Sequence, residues 1–302
     1  MVSNYPSWNL RMVNLVIGMA KGDSALPTVL HEEGYQLHYI EREFVNSQEQ
    51  SVTPEVILTS ERAENALLFE WKAGGNLDRD QLERYAAVTA QDLGQRALVP
   101  RPAERTHDVV VVVGDKADIC ANLLNDWAIP FPLIEQLGNQ LRLVANRFTL
   151  QQLNEAFSPS LMVNWDHGPL SYVQVDPDTP SDVLVDKVGR FIISVIVKRE
   201  PRVRLGEVVE AVLPPIASTG PRYVKCLRPK LEEVVERLVA NEFQDYVELR
   251  PSNHSLHEPW LRRRDSDLSI DMDRRTQKYK ALERQLRQAI ERERNPQQQF
   301  EY

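Results

Sequence analysis

Two glutamates and a lysine stand out in an otherwise apolar stretch. Glu55 opens the run Val56-Ile57-Leu58-Thr59, and a second run, Ala66-Leu67-Leu68-Phe69-Glu70-Trp71-Lys72, closes on an acid and an amine two residues apart. The two runs read as paired strands. Side chains alternate along a strand, so Glu70 and Lys72 share one face while Leu67, Phe69 and Trp71 take the other. A charged residue on an apolar strand costs stability unless it is paired or serves a site. Two carboxylates and an ammonium at one sheet edge make a centre for divalent-metal hydrolysis. Hard cations such as Mg²⁺ take one or two carboxylates, carbonyl oxygens and water, which leaves room for a phosphate. The ammonium can orient the attacking water and offset charge on the reacting phosphorus group.

The elements around these residues must hold them. Gly74-Gly75-Asn76 predicts a turn, and Asp78 and Asp80 favour a helix N-terminus directly after it. Gln81 and Tyr85 are spaced i,i+4 on that helix and so lie on one face. Leu82, Tyr85, Ala86 and Thr89 form the stripe that packs the helix onto the sheet, and Arg79 and Arg84 flank it as candidates for phosphate contact.

The order Pro54-Glu55, fourteen residues, Glu70-Trp71-Lys72, then Gln81 and Tyr85 resembles the PD-(D/E)XK nuclease superfamily. It is similar in particular to the branch with a glutamine-x-x-x-tyrosine motif that includes the RecB nuclease domain. The likeness covers residues 26 to 115, and its first acid is glutamate where aspartate is commoner. The resemblance implies an α/β fold, a restriction-endonuclease-like mixed sheet flanked by helices. It further implies Mg²⁺ or Mn²⁺ held by Glu55, Glu70 and the Trp71 carbonyl, with Lys72 positioning the hydrolytic water. Gln81 and Tyr85 would support the scissile phosphate and metal shell, and the substrate would be DNA. A further acid often joins such a site. Glu32, Glu33, Glu41 and Glu43 are candidates, and the sequence does not choose among them.

Composition sets the bounds. With 302 residues, 42% apolar and 26% charged, the chain is of ordinary globular type and long enough for two domains. The net charge of −8 does not advertise nucleic-acid binding, so any DNA contact must come from local basic surface. Cys120 and Cys226 are far apart in sequence and read as reduced thiols of a cytoplasmic protein. No apolar run reaches the length of a membrane span. The Met12–Ala20 stretch reads as a core-facing helix. The dinucleotide fingerprint, the phosphate-cradling loop, the nucleophile elbow and the zinc helix are all missing from the sequence.

Residues 1–157 form the expected nuclease-like domain. In it, Tyr35–Val45 is a first core strand, Asp108–Gly114 a strand buried on both faces, and 117–127 and 150–157 are helices around a strand-like 141–148. Residues 158–182, rich in Pro, Asp, Ser and Gly, are the expected linker. Residues 183–250 read as a mostly α domain in the order helix, helix, helix, strand, with a third helix that Pro229 would open; a winged helix is the candidate fold. Arg222, Lys225 and Arg228 are its candidate DNA contacts, although Glu232, Glu233 and Glu236 expose acid on the same helix. Residues 251–302 read as a polar loop and a basic helix, 273–294, whose Tyr279, Leu282, Leu286 and Ala289 form an apolar seam for a coiled coil or for docking on the body. The expected partners are DNA, a partner protein or ATPase, and a second copy as a homodimer, with no membrane. A non-catalytic nuclease-fold subunit and a winged-helix regulator are the alternative functions.

Overall fold

The computed structural model describes residues 6–97, 99, 106–163, 172–198, 202–213, 221–250, 259–264 and 272–295, with the side chains of 221–224, 263 and 272–275 left aside. The chain divides into two compact units, Pro6–Val173 and, in the main, the residues from Gln174 onward. The division falls within the stretch 158–182.

The first unit opens with α1 (Trp8–Lys21), capped by the Ser7 hydroxyl and closed by Gly22 in the left-handed conformation. Every residue from Met12 to Ala20 is buried, as expected of a core-facing helix. After the single turn α2 (Val29–Glu32) come β1 (Tyr35–Ile40), β2 (Phe44–Val45), β3 (Ser51–Val52), β4 (Val56–Ser60) and β5 (Asn65–Lys72). The helices α3 (Arg79–Ala86) and α4 (Ala90–Gln95) lead to β6 (Thr106–Val113), α5 (Ala117–Asp126), β7 (Leu133–Leu137), β8 (Gln140–Ala145), α6 (Gln151–Phe157) and β9 (Leu161–Met162). Seven strands form one mixed sheet in the order β1-β4-β5-β6-β7-β8-β9. The pairs β5/β6 and β6/β7 are parallel, and the rest are antiparallel.

The parallel strands sit at the centre, where both faces are covered. That is why β5 and β6 are near-continuous apolar runs rather than alternating ones. One face of β5, through Ala66 and Leu68, joins a core cluster with Ile57, Val109, Val111, Val113 and the α3 residues Leu82 and Tyr85. Thr89 does not extend the α3 stripe. It caps α4 instead, in a reciprocal box with Asp92.

Two differences from the sequence reading matter for the site. The expected strand Tyr35–Val45 is broken at Glu41, whose φ of 46° turns the chain into a separate two-stranded ribbon, β2 with β3. The strand β7, Leu133–Leu137, was not foreseen; it is a short apolar segment that takes its identity from β6 and β8 on either side. The segment 100–106, which its sequence marks as a linker, lies almost wholly outside the described residues.

The second unit comprises α7 (Ser181–Lys198), β10 (Arg202–Arg204), α8 (Leu205–Val212), α9 (Pro221–Asn241), β11 (Val247–Arg250), β12 (Trp260–Arg263) and α10 (Met272–Arg294). Its three short strands form an antiparallel sheet in the order β10-β12-β11. Pro229 does not open the third helix; it lies well inside α9. The strand β12 replaces part of the expected polar loop, and residues 251–258 of that loop lie outside the described residues. The α10 seam docks on the body: Leu282, Leu286 and Ala289 are buried while Tyr279 stays exposed. Gly189 of α7 makes room for Leu286, because a Cβ at 189 would lie 2.2 Å from the Leu286 Cδ1. Ion pairs fasten the same helix, Arg237 to Glu293 and Arg294 to Asp182 at 2.8 Å each, with Arg292 to Glu242 beside them.

Candidate active site

Glu70 lies near the carboxyl end of β5 and is 2% exposed. Three groups compensate its burial. The Gln81 Nε2 donates to Oε1 at 2.9 Å, the Lys72 Nζ lies 2.8 Å from the same oxygen, and the Tyr85 hydroxyl donates to Oε2 at 2.8 Å. Lys72 also donates to the Gln81 Oε1 at 2.8 Å, so strand and helix close a ring of four polar side chains. The i,i+4 spacing of Gln81 and Tyr85 lets one helix grip both oxygens of one carboxylate. Burial and the adjacent Glu70 carboxylate drive the Tyr85 phenol well above its ordinary pKa, so Tyr85 keeps its proton and serves as a donor.

Glu55 stands one register step beyond the last β4/β5 pair, Val56 with Phe69, and its backbone N–H donates to the Phe69 carbonyl at 2.9 Å. Continuing the antiparallel register sets Glu55 opposite Glu70. It shares the parity of Ile57, which packs in the same core cluster as Ala66 and Leu68. The Glu55 charge also contributes to the raised pKa of Tyr85. Five of the residues expected at the site, Glu55, Glu70, Lys72, Gln81 and Tyr85, therefore fall around one sheet edge.

The candidates for an additional acid separate by position. Glu41 N–H donates to the Glu55 carbonyl at 2.9 Å, which sets residue 41 beside the site. The backbone carbonyl of Glu33 accepts from Ser60 at 2.6 Å, and Glu32 belongs to the same short helical turn; both go with the far end of β4. Glu43 is exposed and accepts from the Ser51 hydroxyl at 2.7 Å.

The turn after β5 is fixed from outside. Gly75 has a φ of 65°, and a Cβ there would lie 2.3 Å from the Asp115 carbonyl oxygen in the turn after β6. The buried Cys120 thiol donates to the Gly75 carbonyl at 3.1 Å. Asp78 caps α3 by accepting from the Gln81 N–H at 3.1 Å, which sets where Gln81 begins to project.

Asn46 is a positioning residue that the sequence reading missed. Fully buried in the β2–β3 turn, its side chain accepts from the N–H groups of Gln48 and Gln50 and donates to the Arg84 carbonyl of α3. Arg96 adds donors to the Val45 and Asn46 carbonyls. A second missed network lies at the opposite end of β5 and β6. There Tyr35 donates to Asn65 at 2.8 Å, and Asp108 accepts from both the N–H and the hydroxyl of Thr149. Burial pushes the pKa values of both Tyr35 and Asp108 up. This network ties β1, β5, β6 and the approach to α6, and it is separated from Glu70 by the length of β5.

The remaining candidates lie elsewhere. Arg79 is paired with Glu83 at 2.7 Å on the solvent side of α3, and Arg84 is half-buried. Lys225 is exposed on α9 of the second unit, Arg228 is paired there with Glu232 at 2.8 Å, and the side chain of Arg222 lies outside the described residues.

The donor set suits a hard divalent cation. A carboxylate offers about four acceptor positions, and the three bonds to Glu70 leave one on Oε2. Among the described residues, no three His, Cys, Asp or Glu side chains gather as a metal-holding group. Two carboxylates and a carbonyl, completed by water, meet the demands of Mg²⁺ without a third acid.

The first unit is thus an α/β domain with a mixed seven-stranded sheet flanked by helices, and it carries one buried polar ring at a strand end. Residues 8–173, more than half of the chain, match the family described as the MJECL32 domain, and the chain belongs to that family. The match ends where the first unit ends. No curated protein and no solved structure matches the chain. No described helix is long and apolar enough to cross a membrane.

Proposed function

We propose that the chain is a metal-dependent endonuclease that hydrolyses phosphodiester bonds in DNA, with Glu55, Glu70, Lys72, Gln81 and Tyr85 as its centre. The observation that carries this reading is the ring around Glu70. A buried strand carboxylate holds a lysine two residues along and is gripped at both oxygens by a helix. An ordinary ion pair at a sheet edge needs neither the burial nor the helix. Charge kept out of water at this cost is common at sites that use it.

Glu55 and Glu70, with the Trp71 carbonyl, would hold Mg²⁺ or Mn²⁺. The bound ion would supply Lewis-acid stabilisation of charge on the phosphate. Lys72 has three donors and directs two of them at Glu70 and Gln81, which leaves one to orient a water or a phosphate oxygen. Gln81 fixes the ammonium in place, and Tyr85 keeps the Glu70 oxygens in one orientation. A restriction-endonuclease-like classification of the sheet is supported by the same arrangement: an antiparallel hairpin bearing both acids, a helix bearing the glutamine and tyrosine, and a returning parallel strand.

A winged-helix reading of the second unit is supported by its element order. Helix, strand, helix, helix, strand, strand, with the sheet order β10-β12-β11, matches that arrangement.

The test is incubation of the protein with supercoiled plasmid, linear duplex and single-stranded DNA in Mg²⁺, Mn²⁺ or EDTA, beside Lys72→Ala and Glu70→Gln. Metal-dependent cleavage by the parent and none by the variants is the expected result. Equal cleavage by parent and variants removes the site assignment. No cleavage by any protein favours a non-catalytic subunit that keeps the nuclease fold within a DNA-processing complex.

A further inference from the structure

The outer face of the small sheet is unusually basic for an acidic chain. Side chains alternate on its strands, and the ladder sets Arg262 between Arg202 and Glu248, and Trp260 between Arg204 and Arg250. These residues share one face. The other face carries Val203, Leu261, Leu249 and Val247, of which Val203, Leu261 and Val247 are buried. Arg202, Arg204, Arg250 and Arg262 are all exposed, and Arg264 continues the row with its side chain 52% exposed.

Two carboxylates temper this charge. Glu248 pairs with Arg250 and with Arg264, the latter at 3.3 Å, and Glu207 pairs with Arg204 at 2.9 Å. Five arginines against two glutamates leave a net positive face on a protein whose net charge is −8. Glu248, directly opposite Arg262, answers part of this charge, while Arg202 opposes Arg262 from the other side with like charge. The Arg202 guanidinium stands 4.7 Å from the Trp260 ring centroid, which holds a long side chain in place without neutralising it.

We propose that this face binds single-stranded nucleic acid, its arginines taking successive phosphates and Trp260 offering an aromatic surface to a base. Guanidinium forks suit phosphate, and aromatic groups set among basic residues are how sequence-tolerant single-strand sites are made. Duplex DNA fits this face poorly. The major groove, about 12 Å wide, admits a helix or a two-stranded ribbon, and three strands with their side chains are broader. The neighbouring α9 is the weaker candidate, because Glu232, Glu233 and Glu236 would meet the same phosphates with like charge. The proposal does not rest on the nuclease reading, since it concerns a different unit and requires no cleavage.

The experiment is fluorescence anisotropy of the full chain with labelled oligothymidylate in EDTA, across a salt series. Labelled duplex and competing polyglutamate are run in parallel. Oligothymidylate should bind more tightly than duplex, with affinity falling steeply in salt. Arg202→Gln with Arg262→Gln should weaken binding about tenfold, and the logarithmic salt slope should shrink by about 0.7 for each phosphate that is no longer neutralised. Trp260→Leu should weaken binding with the slope unchanged. The arginine pair stands alone as a test should Trp260→Leu fail to fold. Plasmid nicking in Mg²⁺ is measured on the same preparation of the parent, so that failure of cleavage and failure of binding are told apart. Parent-like binding by the arginine variant overturns the proposal. So does tighter binding to duplex, or no binding of oligothymidylate by the parent.

Discussion

Tyr85 reaches from α3 to β5 and donates its hydroxyl to the Oε2 of Glu70 at 2.8 Å, with both side chains almost fully buried. The phenol cannot leave without stranding a carboxylate in the core, and the carboxylate cannot be removed without orphaning the phenol. Hydrogen bonds to a charged group are worth about 1.5–3 kcal/mol, roughly twice a neutral one. Tyr85→Phe keeps the packing and removes the donor. It should lower unfolding free energy by about that amount, read from the urea midpoint at constant slope.

Lys72 is held between Glu70 and Gln81, and its side chain is 24% exposed. Lys72→Ala should therefore lose at least about a hundredfold in metal-dependent nicking, the usual penalty for deleting one electrostatic stabiliser. Its far-UV circular dichroism should remain that of the parent. A plasmid-nicking time course and a spectrum on the same preparation settle both parts.

His107 sits on β6, where burial pushes its imidazole below the ordinary value of 6.5 despite the opposing pull of Asp108, Asp92 and a hydrogen bond with the Val88 backbone. The unfolded chain then takes up this proton at a higher pH than the folded one. Stability should fall as pH drops through about 6.5, until the folded ring protonates as well. Asp92, whose hydrogen bonds from Thr89 and Ser47 outweigh its burial, loses its stabilising effect only in the carboxylate range below. Urea midpoints for the parent and His107→Gln, measured between about pH 7 and pH 5, should show a shallower slope for the variant.

Gly189 reverses a familiar rule. An alanine inside a helix ordinarily gains about 1 kcal/mol over glycine. Here the added Cβ would lie 2.2 Å from the Leu286 Cδ1 and 3.2 Å from its Cγ, so the whole buried side chain must move. Gly189→Ala should destabilise the second unit by about 1–2 kcal/mol, as overpacking does. The double variant with Leu286→Ala should lose less than the sum of the singles.

Much of the site could be read from residue types because its logic is local. The two strand runs, the turn glycines, the Asp78 cap and the i,i+4 pair each follow from short-range periodicity, and the structure sets the five side chains at one sheet edge. What escaped notice depends on distant partners. β10 and β12 span three and four residues and are rich in arginine, so only their ladder makes them strands. Asn46 looks like any polar loop residue until α3 is folded against it. Pro229 misled because it is compatible with a helix start, while the first turns of α9 lie before it. Glu41 read as part of a longer strand because alternation alone does not reveal a left-handed residue that ends one.

The close fit between α7 and α10 sets an order of events during synthesis. About a hundred residues separate Gly189 from Leu286, or roughly 5–20 s at ordinary elongation rates of 5–20 residues per second. For that interval the groove at Gly189, on a helix that buries Val185, Val188, Ile192 and Ile196, has no Leu286 to fill it. The first unit has its whole sequence available by then. Until α10 follows, the emerging chain would thus carry the apolar stripe of α7 without the helix that covers it.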